Sequence, residues 1–156
     1  MERVVTATTR PPRPGERDGT SYWFLTAEEF DRRVRTGEFL EWAIVHGNRY
    51  GTPREAVSEK LAQGISLVLA VDIQGAKSIR EKMREAVTIF IAPPSFKELE
   101  QRLRGRCTEC DAEIDDRIRT AKAEMAEIDR YDYVVVNLDL NQAAEKLRQI
   151  IKACEG

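Results

Sequence analysis

Arg10 and Arg13 flank two prolines in the stretch TRPPR, a stiff turn that could aim two guanidinium forks at one dianionic phosphate. Tyr22 and Tyr50 would add hydroxyl donors to such a site. Glu41 offers a different chemistry, because a carboxylate presents two acceptors side by side and so matches a base edge carrying two N–H donors. In an isolated TRPPR the arginines would read as solvated charges, and Glu41 alone as a charge on the outer face of a strand. Further along, Arg102 and Arg106 lie four residues apart, which puts them on one face of a helix, and Arg117 follows a polar segment. His46, in the polar turn HGNRYG, reads as a solvated loop residue with no role.

The elements that must position these side chains follow from periodicity. Arg3 to Thr8 and Ser21 to Leu25 read as short strands separated by the Pro- and Gly-rich loop Arg10 to Gly19. Thr26 caps a helix from Ala27 to Thr36, with Glu29 three residues on as in a capping box, and Gly37 ends it. Phe39 to Val45 alternates as a strand and turns back through His46 to Asn48. A helix from Arg54 to Gln63 precedes Ser66 to Val71, an apolar run expected to be a strand buried on both faces, with Asp72 at its end. The remainder reads as helix Gly75 to Lys82, strand Val87 to Ile91, helices Ser95 to Arg104 and Asp111 to Glu127, strand Tyr133 to Val136 and helix Asn141 to Cys154. Alternating buried strands and amphipathic helices imply an α/β fold with a parallel sheet covered on both faces, carrying a small mixed lobe from about Thr6 to Thr52. No repeat or linker divides the 156 residues, so one domain is expected.

Composition narrows the function classes. The formal net charge is −2, so no global positive field holds a nucleic acid or an anionic membrane, and neither is expected as a partner. No segment approaches the roughly 18 consecutive apolar residues of a membrane helix, and a soluble cytoplasmic protein is expected. Cys107 and Cys110 form a single CxxC and Cys154 stands apart; with His46 they do not make a convincing tetrahedral zinc set, so no metal site is expected and the thiols read as reduced.

The motifs TATTRPPRPGE, GTSYWF, GEFLEWA, GNRYGT, VDIQGA, IAPPS, RLRGR and YDYVVVN, in this order, resemble guanylate kinase over essentially the whole chain. The resemblance implies a P-loop nucleoside monophosphate kinase that moves the terminal phosphate of ATP to GMP with Mg2+, built from a parallel sheet core, a GMP-binding lobe and a mobile lid at about residues 105–117. It places Arg10, Arg13, Tyr22 and Tyr50 on the GMP phosphate. Glu41 then meets the N1–H and N2–H donors of guanine, which adenine lacks. Thr52 and Asp72 complete base recognition, Thr6 stands where serine is common, and Glu16 is expected to orient Arg13 or close the lobe. Arg102, Arg106 and Arg117 are implied to neutralise charge around the transferred phosphate, an electrostatic role. A mobile lid makes Cys107 and Cys110 dispensable.

Two departures accompany the resemblance. Ala70 stands two before Asp72, where many relatives carry a carboxylate that helps order the magnesium and phosphate region. The chain also contains no GxxxxGK(S/T), the loop whose backbone N–H groups cradle nucleotide phosphates at a helix N-terminus. The first strand, that loop and the next helix, roughly 25–30 residues, are expected to be missing, with Met1 an internal or misassigned start. By resemblance that strand lies between those matching Ser66–Val71 and Val87–Ile91, so its loss leaves a gap through which chains could self-associate. The expectation is a guanylate kinase polypeptide that binds GMP, takes ATP only if the missing element is supplied, and is inactive as it stands. A non-catalytic binding module and a GMP sensor are the alternatives.

Overall fold

The computed structural model describes residues 1–104 and 111–155, so Arg106, Cys107 and Cys110 lie outside the described residues. The chain divides into two compact units, Met1–Arg84 and Glu85–Gly156. The first holds strands β1 (Glu2–Arg3), β2 (Ala7–Thr8) and β3 (Trp23–Phe24), helix α1 (Ala27–Arg35), strands β4 (Phe39–Val45) and β5 (Asn48–Pro53), helix α2 (Arg54–Ala62), strand β6 (Leu67–Val68) and helix α3 (Ile73–Lys82). The second holds β7 (Ile89–Ala92), α4 (Phe96–Arg104), α5 (Asp111–Met125), a short 3₁₀ turn (Ile128–Arg130), β8 (Tyr133–Val136) and α6 (Leu140–Glu155).

A four-stranded sheet of order β3-β2-β5-β4 organises the first unit, and β1 pairs in parallel with β6 beside it. The strand expected over Arg3–Thr8 is thus two short strands in two sheets. Thr26 caps α1 as its sequence suggests, its Oγ1 accepting from the Glu29 N–H at 3.2 Å. The Glu29 carboxylate does not close a capping box but accepts from Arg32 and Arg33. Gly37, at φ 70°, supplies the left-handed residue that stops the helix. β4 and β5 form a hairpin through His46 and Gly47, both at positive φ, which suits a right-twisted two-residue turn.

One irregularity in β4 decides where the site residues point. Phe39 pairs with Pro53 and Glu41 with Thr52, so Leu40 is an extra residue, a β-bulge. Phe39 therefore faces α1, its ring stacked 4.5 Å from Phe30, with Ala7, Leu25 and Val34 completing that core. Glu41 and Ala43 face the other way. The bulged Leu40 is itself buried against Val4 and Val57 in a second cluster that takes in Leu67, Leu69 and Met83.

In the second unit β7 and β8 pair in parallel, in register from Ile89–Tyr133 to Ala92–Val136. The expected strand starts two residues late, because the Asp132 carboxylate accepts from both the N–H and the hydroxyl of Thr88, each at 2.7 Å. Burial on both faces does not hold either. Phe90, Ala92 and Val135 are buried, whereas Ile91, Val134 and Val136 remain exposed. Likewise the expected strand Ser66–Val71 shortens to a half-buried Leu67–Val68. The architecture is mixed α/β with parallel pairs, but β6 and β7 belong to separate two-stranded sheets.

Candidate functional site

The face of the four-stranded sheet turned away from α1 lines a cavity of about 260 Å³ in the first unit. Its wall takes Thr6, Tyr22, Glu41, Ala43, Val45, Tyr50 and Gly51 from the sheet, and Ala70, Val71 and Asp72 from the segment entering α3. Strand register explains the grouping. Ala7 pairs with Trp23 and Gly51 toward the helix side, so the residues next to them, Thr6, Tyr22 and Tyr50, turn toward the cavity.

Glu41 is the chemical centre of one end. The residue is 5% exposed, and its Oε1 accepts a hydrogen bond from the Oγ1 of the fully buried Thr52. Burial pushes the Glu41 carboxyl above its ordinary value; the Thr52 hydroxyl opposes that shift, and the nearby negative charge of Asp72 adds to it. Asp72 caps α3, its Oδ1 accepting from the Gly75 N–H at 2.9 Å while Oδ2 accepts from Gln74 at 3.2 Å. Lys82 donates to the Leu40 carbonyl at the bulge, and its charge pulls weakly on Glu41 in the opposite sense to Asp72.

Arg10 lies outside the cavity wall, beside its Tyr22. One terminal nitrogen of its guanidinium donates to both oxygens of Glu16, at 2.9 and 3.0 Å, and the group lies 5.5 Å from the Tyr22 ring centre. The Tyr22 and Tyr50 rings meet edge to face, 6.1 Å between centres. Glu16 holds the Arg10 guanidinium above its ordinary pKa, with Tyr50 adding to the effect, and is itself held low, first by Arg10 and then by the Arg13 backbone. Glu16, expected to orient Arg13 or close the lobe, accepts from the Arg13 backbone N–H at 2.7 Å while its carboxylate also grips Arg10. The Pro-fixed turn presents the Arg13 backbone, not its guanidinium, to the acid, and Arg13 stands exposed outside the cavity wall.

The second unit brings a smaller group together. Arg102 donates from Nε to Glu98 at 3.2 Å and from its two terminal nitrogens to the carbonyls of Asn137 and Leu138, at 2.9 and 3.1 Å. It thereby braces the end of β8 and borders a cavity of about 270 Å³ with Ile91, Ala92, Pro93, Leu99, Leu103 and Asn137. Arg117 is half-buried on α5, and Arg106 falls outside the described residues. Sequence reasoning missed the apolar wall residues Ala43, Val45 and Val71 and the glycine behind Glu41, Gly75. The inward alternation of β4 after its bulge is the signal for the first two.

Among the described residues, no cluster of three or more His, Cys, Asp or Glu could hold a metal ion, and Ala70 puts a methyl group in the cavity wall beside Asp72. The described residues therefore offer magnesium no all-protein cage, and the ion would be held chiefly by nucleotide phosphates. Among the same residues, no helix is long and apolar enough to cross a membrane.

A family model for guanylate kinase matches residues 2–154. The chain belongs to the guanylate kinase family. The guanylate kinase of Symbiobacterium thermophilum is 49% identical over 96% of this chain and 71% of its own length. That of Caldanaerobacter subterraneus is 48% identical over 98% of this chain and 74% of its own. The crystal structure of guanylate kinase from Anaplasma phagocytophilum superposes with a TM-score of 0.83 at 39% identity, covering 97% of this chain and 74% of that one. The mixed α/β fold with parallel strand pairs is thus that of a guanylate kinase, and by family the chain is a nucleotide-binding kinase and transferase.

Proposed function

We propose that the first unit's cavity binds GMP, guanine against Glu41 and phosphate against Arg10, Arg13, Tyr22 and Tyr50, and that GMP there accepts the terminal phosphate of ATP to become GDP. The observation that carries the reading is Glu41, an acidic residue only 5% exposed in the wall of an open cavity. Keeping it ionised among apolar neighbours is costly, and a ligand edge with two N–H donors offsets that cost. Guanine has such an edge. Adenine turns an acceptor toward the carboxylate and leaves it worse off than water does. Thr52 orients the carboxylate, while Thr6 and Asp72 supply further polar contacts to the base end. Glu16 and the Pro11 carbonyl hold the Arg10 guanidinium in place, so that less side-chain entropy is lost when phosphate binds.

Phosphoryl transfer relies on positioning and charge stabilisation and needs no protein nucleophile. Arg102, Arg106 and Arg117 are assigned that positive charge, with residues of about 105–117 as the lid and about 6–52 as the GMP lobe. Arg102 would act from a fixed place, its planar fork held by the Asn137 and Leu138 carbonyls. Magnesium enters as the ATP complex. Transfer in this reading also requires a backbone phosphate cradle of the GxxxxGK(S/T) kind, which these 156 residues do not contain.

Calorimetric titration with GMP and AMP, on the wild-type chain and on Glu41→Gln, tests the proposal. GMP should bind in preference, and the amide, which sets a donor against a donor, should cost about 1–3 kcal/mol for GMP alone. Equal affinities for the two nucleotides would refute the site. In a coupled ADP-release assay the 156 residues should stay at background; turnover of about 1–100 s⁻¹ would show that the ATP phosphates are held some other way.

A further inference from the structure

Gly75 stands in the first turn of α3, and its φ lies outside the left-handed region. Backbone conformation therefore does not call for glycine here, and alanine would be the better helix former. Space does call for it. A Cβ built on Gly75 would sit 2.6 Å from Glu41 Oε2 and 3.2 Å from its Cδ, with Val71 Cβ at 3.0 Å on the other side. The Glu41 carboxylate occupies the room that a side chain would take. Its other oxygen is tied to Thr52, so it cannot move aside without breaking that bond or swinging into the cavity. The same glycine donates its N–H to Asp72 Oδ1, so one residue touches both acids at this end of the cavity.

We infer that Gly75 is a specificity-determining positioning residue: its missing side chain lets the Glu41 carboxylate seat against α3, at the height where a guanine edge meets both oxygens. This rests on the reading of the cavity as a guanine site. A methyl group at position 75 pushes Oε2 forward and out of line with the base, so one or both carboxylate bonds to guanine are lost. Phosphate contacts lie at the other end and stay intact. The signature is therefore a loss of discrimination, and not a general loss of binding.

The test is nucleotide titration of wild type, Gly75→Ala, Glu41→Asp and the double variant, with folding followed by circular dichroism. Gly75→Ala should weaken GMP binding by about tenfold or more, since one bond to a charged acceptor is worth at least that factor. AMP affinity should be unchanged. Aspartate is one methylene shorter and withdraws from α3, so adding Gly75→Ala to Glu41→Asp should change GMP affinity less than about twofold. A folded Gly75→Ala with wild-type GMP affinity, an equal loss for GMP and AMP, or an undiminished loss in the aspartate background overturns the inference. Should Gly75→Ala not fold, Gly75→Ala combined with Glu41→Ala must restore folding, and failure to do so also overturns it. If wild type itself shows no preference for GMP, it is the guanine reading that fails, independently of Gly75.

Discussion

Replacing Thr52 by valine removes one hydroxyl and almost nothing else, since the two side chains have nearly the same shape and Thr52 is fully buried. Its Oγ1 donates to Glu41 Oε1, a hydrogen bond to a buried charge, and such bonds contribute about 1.5–3 kcal/mol. The expected loss is of that size where Glu41 is ionised. Its pH dependence follows from linkage. Burial raises the Glu41 carboxyl in the folded state, so between its ordinary value and the raised one the folded chain holds a proton that the unfolded chain has released. Stability therefore falls as pH rises through that window. The hydroxyl opposes the rise, so Thr52→Val extends the window upward, and the stability gap between variant and wild type should widen with pH. Below the window the acid is neutral in both proteins and the lost bond is an ordinary one of about 0.5–1.5 kcal/mol. Both tryptophans, Trp23 and Trp42, lie on this sheet, so urea unfolding followed by their fluorescence reports on the unit that holds the site. A gap that is the same at about pH 5 and pH 8, or smaller than about 0.5 kcal/mol at the higher pH, would mean that the hydroxyl does not serve an ionised carboxylate, and the reasoning fails.

The two acids Glu41 and Glu16 should also separate on acidification: Glu41 is raised by burial and Glu16 lowered by Arg10, so preference for GMP over AMP should fade before Arg10 loses its partner. Glu41→Gln should show no such fading, and titrations across pH with both nucleotides check this. Glu16→Gln weakens the grip on Arg10 and should lower GMP and AMP affinity together, by roughly tenfold, the value of one charge-assisted bond; a base-selective effect in calorimetry would count against it. Gly51→Ala should destabilise the sheet by about 1–3 kcal/mol, because its Cβ would lie 2.9 Å from the Phe39 ring, and a melting curve measures the loss.

Signals carried by neighbouring residues were legible in the sequence. The Thr26 cap, the Gly37 stop and the His46–Gly47 turn depend on local backbone chemistry, and each stands where its residues suggest. The mixed α/β class followed from periodicity, and the family from ordered motifs. Thr6, Tyr22, Glu41 and Tyr50 line one cavity because strand register delivers them to one face, and Asp72 joins them from the start of α3. What escaped depends on distant partners. Plain alternation over Phe39–Val45 hides the bulge, because Leu40 is buried by Val4 and Val57, far off in the chain. Glu16 could pair with either nearby arginine, and only the path of the loop selects Arg10. Gly75 looks like an indifferent helix residue until Glu41 is placed against it. The runs around Leu67 and Val134 are apolar enough for buried strands, yet hydrophobicity states only what can be covered, not what covers it.

The extra residue in β4 has a consequence for how this site can be altered. Side chains along a strand follow a parity rule, odd to one side and even to the other. Were Leu40 paired as an ordinary strand residue, the phenyl ring of Phe39 and the carboxylate of Glu41 would fall on the same side. The strand would have to choose between an acid among Phe30 and Val34 and an aromatic ring in the cavity. The bulge at Leu40, held by burial against Val4 and Val57, thus sorts charge from grease here. Deleting Leu40 would keep the two side chains on opposite faces, whereas forcing it into the ladder would bring them to the same one.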